Sequence, residues 1–144
     1  HEVGGSVITA IEHIGSTAVQ GLAAKPVIDI MPGGDDLAVF DASGVREALV
    51  VAGYTYREDL EAAMPYRRYF VRTGDNPDHP RGHLSHVHIV AIGSEFWVRH
   101  LAFRDYLRAH PVERDAYGAF KQRIAPQYTD TGSYAKALVW YMRA

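Results

Sequence analysis

Two short β-prone segments joined through a glycine-serine pair place the strongest constraint on the fold. Residues 7–11 (VITAI) are apolar and β-prone, and they predict a strand. Gly15 and Ser16 follow, and small residues of this kind let a backbone turn sharply and approach a ligand closely. Residues 27–30 (VIDI) predict a second strand, on which Asp29 faces away from its two neighbouring isoleucines. The sequence therefore predicts a flexible turn after one strand and a carboxylate on the next.

A glycine-serine turn beside a carboxylate suits the binding of a nucleotide. Backbone N–H groups at such a turn, especially one that opens a helix, bind phosphate oxygens. A neighbouring carboxylate suits Mg²⁺, a cation that takes oxygen ligands and shares the phosphates of a substrate. An ordinary turn followed by an edge-facing aspartate explains the same pattern equally well. The two segments by themselves leave both interpretations open.

A second informative segment is residues 84–89 (LSHVHI), which predicts a strand. His86 and His88 are two residues apart and therefore share one face, while Val87 and Ile89 face the core. Two histidines on one strand face bind Zn²⁺ or another transition metal, donate to phosphate, or act as acid and base. A hydrogen-bonded pair with a purely structural role is the alternative.

Several segments together resemble the GrpB family of bacterial proteins. The resemblance is carried by residues 13–19 (HIGSTAV), 21–26 (GLAAKP) and 28–30, and by the later residues 84–89, 103–108 (FRDYLR), Tyr117 and Lys121. It covers nearly the whole chain from about residue 11. The resemblance implies a nucleotidyltransferase-like α/β (α+β) fold, with a mixed sheet, flanking helices and a C-terminal helical subregion. A related domain is fused to dephospho-CoA kinase in some bacteria.

The chain departs from the wider nucleotidyltransferase superfamily at one position. Active members usually carry the glycine-serine pair and then two acidic residues spaced Asp-x-Asp on the next strand, but Met31 occupies the second position here. A third carboxylate usually comes from a later strand of the same sheet, and by analogy with that fold His86 or His88 takes its place. The departure weakens the expectation of two-metal catalysis.

Composition narrows the class of protein. The 144 residues suffice for one core, so we expect a single domain over residues 1–144, sheet-rich over 1–93 and helical over 94–144. The chain has no cysteine for a disulfide or a thiolate nucleophile, and no apolar run approaches the ~20 residues that cross a bilayer. We expect a cytoplasmic protein without a membrane or duplex nucleic-acid partner, because signal-peptide, helix-turn-helix and long basic segments are absent. The first residue is His1, and we expect the natural N-terminus to be missing.

Hydrophobic spacing and turn residues predict the remaining elements. We expect strands at residues 54–58 and 66–73, a helix over 39–52 that stops at Gly53, and loops over 32–36 and 73–83. Further helices are expected over 95–109 with Ser94 as N-cap and from Pro111 to about residue 125, and a last helix is expected with Ser133 or Asp130 as its cap.

Two functions remain open from the sequence. The first is an enzyme that binds a nucleotide or other phosphorylated small molecule with a divalent metal, Mg²⁺ or a transition metal, and transfers a nucleotidyl group to a small acceptor. The second is a non-catalytic module for a nucleotide or CoA-related ligand, which Met31 favours. In either case we predict that Asp29 and at least one of His86 and His88 face one cleft and share a metal or a phosphate.

The residue roles that we expect fall into three groups. Asp29, Ser16 and His88 are the candidate catalytic residues, and the candidate metal ligands are Asp29, His86 and His88. The candidate phosphate-binding residues are Gly15, Ser16, Thr17, Lys25, Arg68, Arg104 and Lys121. Arg68 belongs to this set only if its strand face lines the cleft.

Overall fold

Five strands form one mixed sheet in the part of the chain that the computed structural model describes, residues 7–22, 27–79 and 81–124. The strands are β1 (Ala10–Ile14), β2 (Ile28–Gly34), β3 (Thr55–Tyr56), β4 (Arg68–Thr73) and β5 (His83–Ala91). The α-helices are α1 (Leu37–Ala42), α2 (Val45–Val51), α3 (Glu95–Ala109) and α4 (Pro111–Ile124), and short 3₁₀ turns cover Ser16–Ala18 and Glu58–Leu60. The predicted fold class, a mixed α/β sheet with flanking helices and a helical second part, is confirmed.

The strand order is β1-β2-β5-β4-β3, with β2 and β5 parallel and the other neighbours antiparallel. The register pairs Asp29 with His86 across β2 and β5, and Tyr69 with His88 across β4 and β5. Residues paired in this way project to the same face of a sheet. The centre of the sheet therefore carries a polar group on one face.

Each face of the sheet is covered by its own helices. On one face, α1 and α2 supply Phe40 and Val45, which pack on β4 and β5 through a buried cluster completed by Phe70, Val87 and Ile89. On the other face, Phe96 of α3 packs on Met31 and Val90. The prediction that Val87 and Ile89 face the core is confirmed, since they are 5% and 2% exposed.

Two predicted elements differ from the structure. The helix expected over residues 39–52 is two helices, because the chain turns at Ser43 and Gly44, where Gly44 has a φ of +83°. The loop expected over residues 32–36 is wrong for its first three residues, since Pro32, Gly33 and Gly34 continue β2. Pro32 is tolerated in this strand although it has no N–H to donate, and a side chain at Gly33 would lie 2.6 Å from the ring of Trp97.

The other boundaries shift by a few residues. The first strand begins at Ala10 rather than residue 7, β3 shortens to Thr55–Tyr56 and β4 begins at Arg68. The predicted helix over 95–109 is confirmed, and the Ser94 hydroxyl accepts a hydrogen bond from the Trp97 N–H at 3.4 Å. The last expected helix, with Ser133 or Asp130 as its cap, lies outside the described residues. No helix within the described ranges combines the length and apolar character needed to cross a bilayer.

Candidate functional site

Asp29, His86 and His88 form one cluster on the α3 face of the sheet. Asp29 Oδ1 lies 3.1 Å from His86 Nδ1 and 3.1 Å from His88 Nε2. One ligand atom from each of the three residues lies within 4.8 Å of the others, and no other group of three such side chains occurs within residues 7–22, 27–79 and 81–124. The structure thus brings together the carboxylate and both histidines of the sequence analysis.

Strand alternation explains why these polar side chains meet. Asp29 and Met31 lie on the same face of β2, and His86, His88 and Val90 lie on the same face of β5. Met31 and Val90 are almost completely buried under Phe96 of α3. The apolar end of this face anchors the helix, and the polar end carries the cluster, whose side chains are only 11–25% exposed.

Residues outside the predicted set support the two histidines. His83 Nδ1 lies 2.8 Å from His86 Nε2, and the ring of His79 stacks on His83 with 4.2 Å between ring centroids. The amide of Asn76 donates a hydrogen bond of 2.6 Å to the carbonyl of His83, which fixes the preceding loop against β5. We did not predict His83 as part of the site, although it lies three residues before His86 in a histidine-rich segment that was visible in the sequence.

Arg67 and Tyr69 contact the other side of the cluster. Arg67 Nη1 lies 3.2 Å from His88 Nδ1, and the Tyr69 ring centroid lies 5.0 Å from that of His88. The guanidinium of Arg67 lies over the Tyr69 ring, 4.3 Å from its centroid. Neither residue was predicted as part of the site, because the prediction concerned the face of Arg68, whereas its strand neighbour Tyr69 points toward the histidines.

The cluster keeps Asp29 ionised and His88 neutral. Burial raises the pKa of Asp29, but the hydrogen bonds from His86 and His88 outweigh it and hold that pKa below its usual range. Burial lowers the pKa of His88, and this effect exceeds the attraction of Asp29. Burial, followed by the charges of His79 and His86, lowers the pKa of His83 to about 4. Neutral imidazoles and an ionised carboxylate are the forms that bind metals.

The glycine-serine turn lies directly against Asp29. Gly15 has a φ of +75°, and a Cβ at this position would lie only 2.7 Å from Asp29 Oδ2. The 3₁₀ turn of Ser16–Ala18 begins here, with Ala18 N–H donating to the Gly15 carbonyl at 3.1 Å. Only glycine meets both the backbone and the space requirement, which is the close approach that the sequence predicted for this pair.

Lys121 of α4 reaches the same turn. Its Nζ donates a hydrogen bond to the Ser16 hydroxyl. Burial lowers the pKa of Lys121 to about 8, although the charge of Asp29 partly opposes the shift. The hydroxyl of Thr17 is hydrogen-bonded to His13 Nε2 at 2.8 Å instead. A partly buried ammonium, a serine hydroxyl and a carboxylate therefore lie around Gly15 and Ser16.

Arginines of α3 hold this turn through its flanking backbone. Arg104 Nη1 donates to Glu12 Oε1 at 2.7 Å and to the carbonyl of His13 at 3.1 Å. Arg108 Nε donates to the carbonyl of Ala18 at 2.9 Å. Arg104 therefore makes an ion pair and a backbone contact beside the glycine-serine turn. The sequence predicted Arg104 as a phosphate ligand at this turn.

One predicted phosphate ligand, Arg68, lies away from the cluster. Arg68 pairs with Asp41 at 3.0 Å and with Glu61 at 3.2 Å, and its strand partner is Ile89 on the face covered by α1. The condition set for Arg68, that its strand face lines the cleft, is not met, because successive residues of β4 point to opposite faces and Tyr69 occupies the cleft side. Lys25 lies outside the described residues.

The donor set does not fit a two-Mg²⁺ site. Mg²⁺ prefers oxygen ligands in octahedral geometry, whereas two of the three donors here are imidazoles. Met31, at the position of the second acidic residue, is fully buried in an apolar cluster and offers no oxygen. One carboxylate with two histidines fits a first-row transition metal such as Zn²⁺, Mn²⁺ or Ni²⁺.

The fold and the cluster together define a mixed α/β protein with an Asp-His-His site beside a glycine-serine turn. The chain resembles the crystal structure of the conserved protein GrpB from Enterococcus faecalis, with a TM-score of 0.77 and 30% identity over 98% of this chain and 81% of that chain. A model of the GrpB protein family matches residues 2–141. The chain belongs to the GrpB family, so the family resemblance of the sequence analysis is confirmed.

Curated relatives extend the match to proteins of other bacteria. The UPF0157 protein YqkA of Bacillus subtilis is 38% identical over 127 residues, which are 88% of this chain and 34% of that protein. A UPF0157 protein of Deinococcus radiodurans is 39% identical over 123 residues, 85% of this chain and 58% of that protein. The chain thus spans about a third of the first relative and less than two thirds of the second.

Proposed function

We propose that this chain binds a divalent transition metal together with the phosphates of a nucleotide or other phosphorylated small molecule. When the ligand is a nucleoside triphosphate, an oxygen of a small acceptor attacks the α-phosphorus, the bond to the β-phosphate breaks and pyrophosphate leaves, so that the nucleotidyl group passes to the acceptor. One observation carries the proposal: Asp29 lies between two imidazoles on one side and the glycine-serine turn on the other. A carboxylate that suits a metal, in contact with a turn whose N–H groups suit a phosphate, supports this proposal.

In the proposed reaction, different residues around Asp29 bind the phosphate and the metal. Backbone N–H groups of the turn at Gly15 and Ser16 bind the phosphate, and Lys121 adds positive charge beside the Ser16 hydroxyl. Asp29, His86 and His88 are the side chains available to hold the metal. A bound metal of this type acts as a Lewis acid toward a phosphoryl oxygen.

Isothermal titration with metals and nucleotides tests this proposal. We expect Zn²⁺ and Mn²⁺ to bind more tightly than Mg²⁺, and a nucleoside triphosphate to bind more tightly once the metal is present. Asp29→Asn should weaken metal binding by at least about tenfold, because it removes the charged ligand. Asp35→Asn is the matched control, since this exposed aspartate lies just beyond the same strand. No metal binding by the wild type, or equal loss in the two variants, would contradict the proposal.

A second candidate is a binding module that holds such a ligand without reacting it. The observation in its favour is Met31, which fills an apolar cluster where active nucleotidyltransferases carry a second carboxylate. A module should bind a nucleotide or CoA-related ligand at the same turn and release it unchanged. Pyrophosphate release across a panel of small acceptors, abolished by Asp29→Asn, would favour the enzyme, and tight binding without release would favour the module.

A further inference from the structure

Arg67 and Asp29 contact the two nitrogens of the His88 ring from opposite edges. Arg67 Nη1 lies 3.2 Å from His88 Nδ1, and Asp29 Oδ1 lies 3.1 Å from His88 Nε2. The guanidinium of Arg67 stacks on the Tyr69 ring, and the backbone N–H of Arg67 donates to the carbonyl of Met64 at 3.2 Å. Both nitrogens of this buried ring are therefore occupied by protein partners.

The direction of these two hydrogen bonds follows from the chemistry of the groups. A guanidinium has only N–H donors and remains charged, so His88 Nδ1 must accept the hydrogen bond from Arg67. A neutral imidazole carries a single N–H, which then lies on Nε2 and donates to Asp29. Because Nδ1 accepts a hydrogen bond it carries no hydrogen, and the ring is therefore neutral. A nitrogen that carries hydrogen has no lone pair to offer a metal.

His86 is not restricted in the same way. Its Nδ1 faces Asp29, and its Nε2 lies 2.8 Å from His83 Nδ1. A neutral imidazole such as His83 presents either an N–H or a lone pair, depending on its tautomer. His86 can therefore place its hydrogen on Nε2 and offer Nδ1 to a metal without leaving its partner. The two histidines of the cluster differ in their readiness to bind a metal.

We propose that Arg67 controls whether His88 joins Asp29 and His86 as a metal ligand. While Arg67 contacts His88 Nδ1, the metal has two protein ligands. When Arg67 leaves, the hydrogen of His88 moves from Nε2 to Nδ1, and Nε2 becomes the third ligand. This inference rests on the proposed metal site and identifies a positioning residue that acts on it through the histidine tautomer.

The tautomer can be measured in the metal-free protein. Long-range ¹⁵N–¹H spectra of histidine-labelled wild type should show hydrogen on His88 Nε2 and none on Nδ1. In Arg67→Met this preference should weaken or reverse, because the donor to Nδ1 is gone. A wild-type His88 that carries its hydrogen on Nδ1 would overturn the inference whether or not a metal binds.

Cobalt titration of a double-mutant cycle separates the tautomer from simple charge repulsion, since Arg67 also repels a cation. Arg67→Met should tighten Co²⁺ binding by about 10- to 100-fold more when His88 is present than in His88→Gln. The visible Co²⁺ spectrum of Arg67→Met should also change with the added nitrogen ligand. Arg72→Met, which removes a charge from the face of β4 opposite to Tyr69, should leave binding unchanged.

The outcomes distinguish the two proposals. If Co²⁺ binds and Arg67→Met has the same effect with and without His88, Arg67 acts by charge alone and the inference fails while the metal site stands. If neither the wild type nor Arg67→Met binds Co²⁺ or Zn²⁺, the metal site itself fails, and with it the role of Arg67.

Discussion

A methyl group added at Gly15 should damage both the stability of the fold and the site. Gly15 has φ +75° and ψ −175°, a region of backbone conformation that is essentially restricted to glycine. Alanine there would raise the energy of the folded backbone by ~1–3 kcal/mol. The added Cβ would also lie 2.7 Å from Asp29 Oδ2 and 3.1 Å from Asp29 Cβ, and overpacking of this kind costs a further ~1–3 kcal/mol. Gly15→Ala should therefore lower the free energy of unfolding by about 2–6 kcal/mol.

Gly44→Ala is the matched control for the backbone effect. Gly44 has a φ of +83° in the left-handed helical region, and nothing lies within 4 Å of a Cβ built there. Its substitution should cost only about 1–2 kcal/mol. Urea denaturation monitored by circular dichroism measures the free energy of unfolding of both variants. The midpoints are compared after checking that the slope of this free energy against urea concentration is the same in both variants.

A second double-mutant cycle isolates the steric contact between a Cβ at position 15 and the side chain of Asp29. In an Asp29→Ala background most of the Asp29 atoms that the new Cβ would meet are absent. The loss of unfolding free energy caused by Gly15→Ala should then fall to the part that comes from the backbone conformation alone. Metal affinity should fall in Gly15→Ala, because the displaced carboxylate no longer lies 3.1 Å from both histidines. A cost for Gly15→Ala no greater than that of Gly44→Ala would refute the argument that the turn packs directly on Asp29.

Three further predictions follow from the site and its surroundings. Titration of inorganic phosphate or a nucleotide should show affinity that falls as the pH rises through about 8, where Lys121 loses its charge, and Lys121→Met should remove this dependence. Arg68→Met should lower the free energy of unfolding by about 1 kcal/mol through its lost ion pairs but leave ligand and metal titrations unchanged, since Arg68 lies on the opposite face. Met31→Asp should destabilise the protein by about 3 kcal/mol or more in urea denaturation rather than complete a two-carboxylate site, because position 31 is fully buried among apolar side chains. A stable Met31→Asp variant with tighter Mg²⁺ binding would contradict this prediction, because it would show that the apolar cluster accommodates a charged side chain.

The sequence by itself determined the parts of the site that depend on local periodicity. Alternation along a strand places His86 and His88 on one face and Asp29 opposite its neighbouring isoleucines, whatever the strands pair with. The glycine-serine pair likewise predicted a close backbone approach, because few other residues permit one. The helix over Glu95–Ala109 was predictable for the same reason, since its cap and its apolar spacing are local features.

The tertiary structure decided which faces meet. Only the parallel pairing of β2 with β5 brings Asp29 opposite His86, and that register depends on packing between segments more than fifty residues apart. The same pairing continues through Gly33, which explains why Pro32 and the two glycines extend a strand where local propensity predicts a loop. Arg67 reaches His88 and Arg68 turns to Asp41 because their neighbouring positions project to opposite sides of the sheet, a choice that depends on which side of β4 is covered by α1.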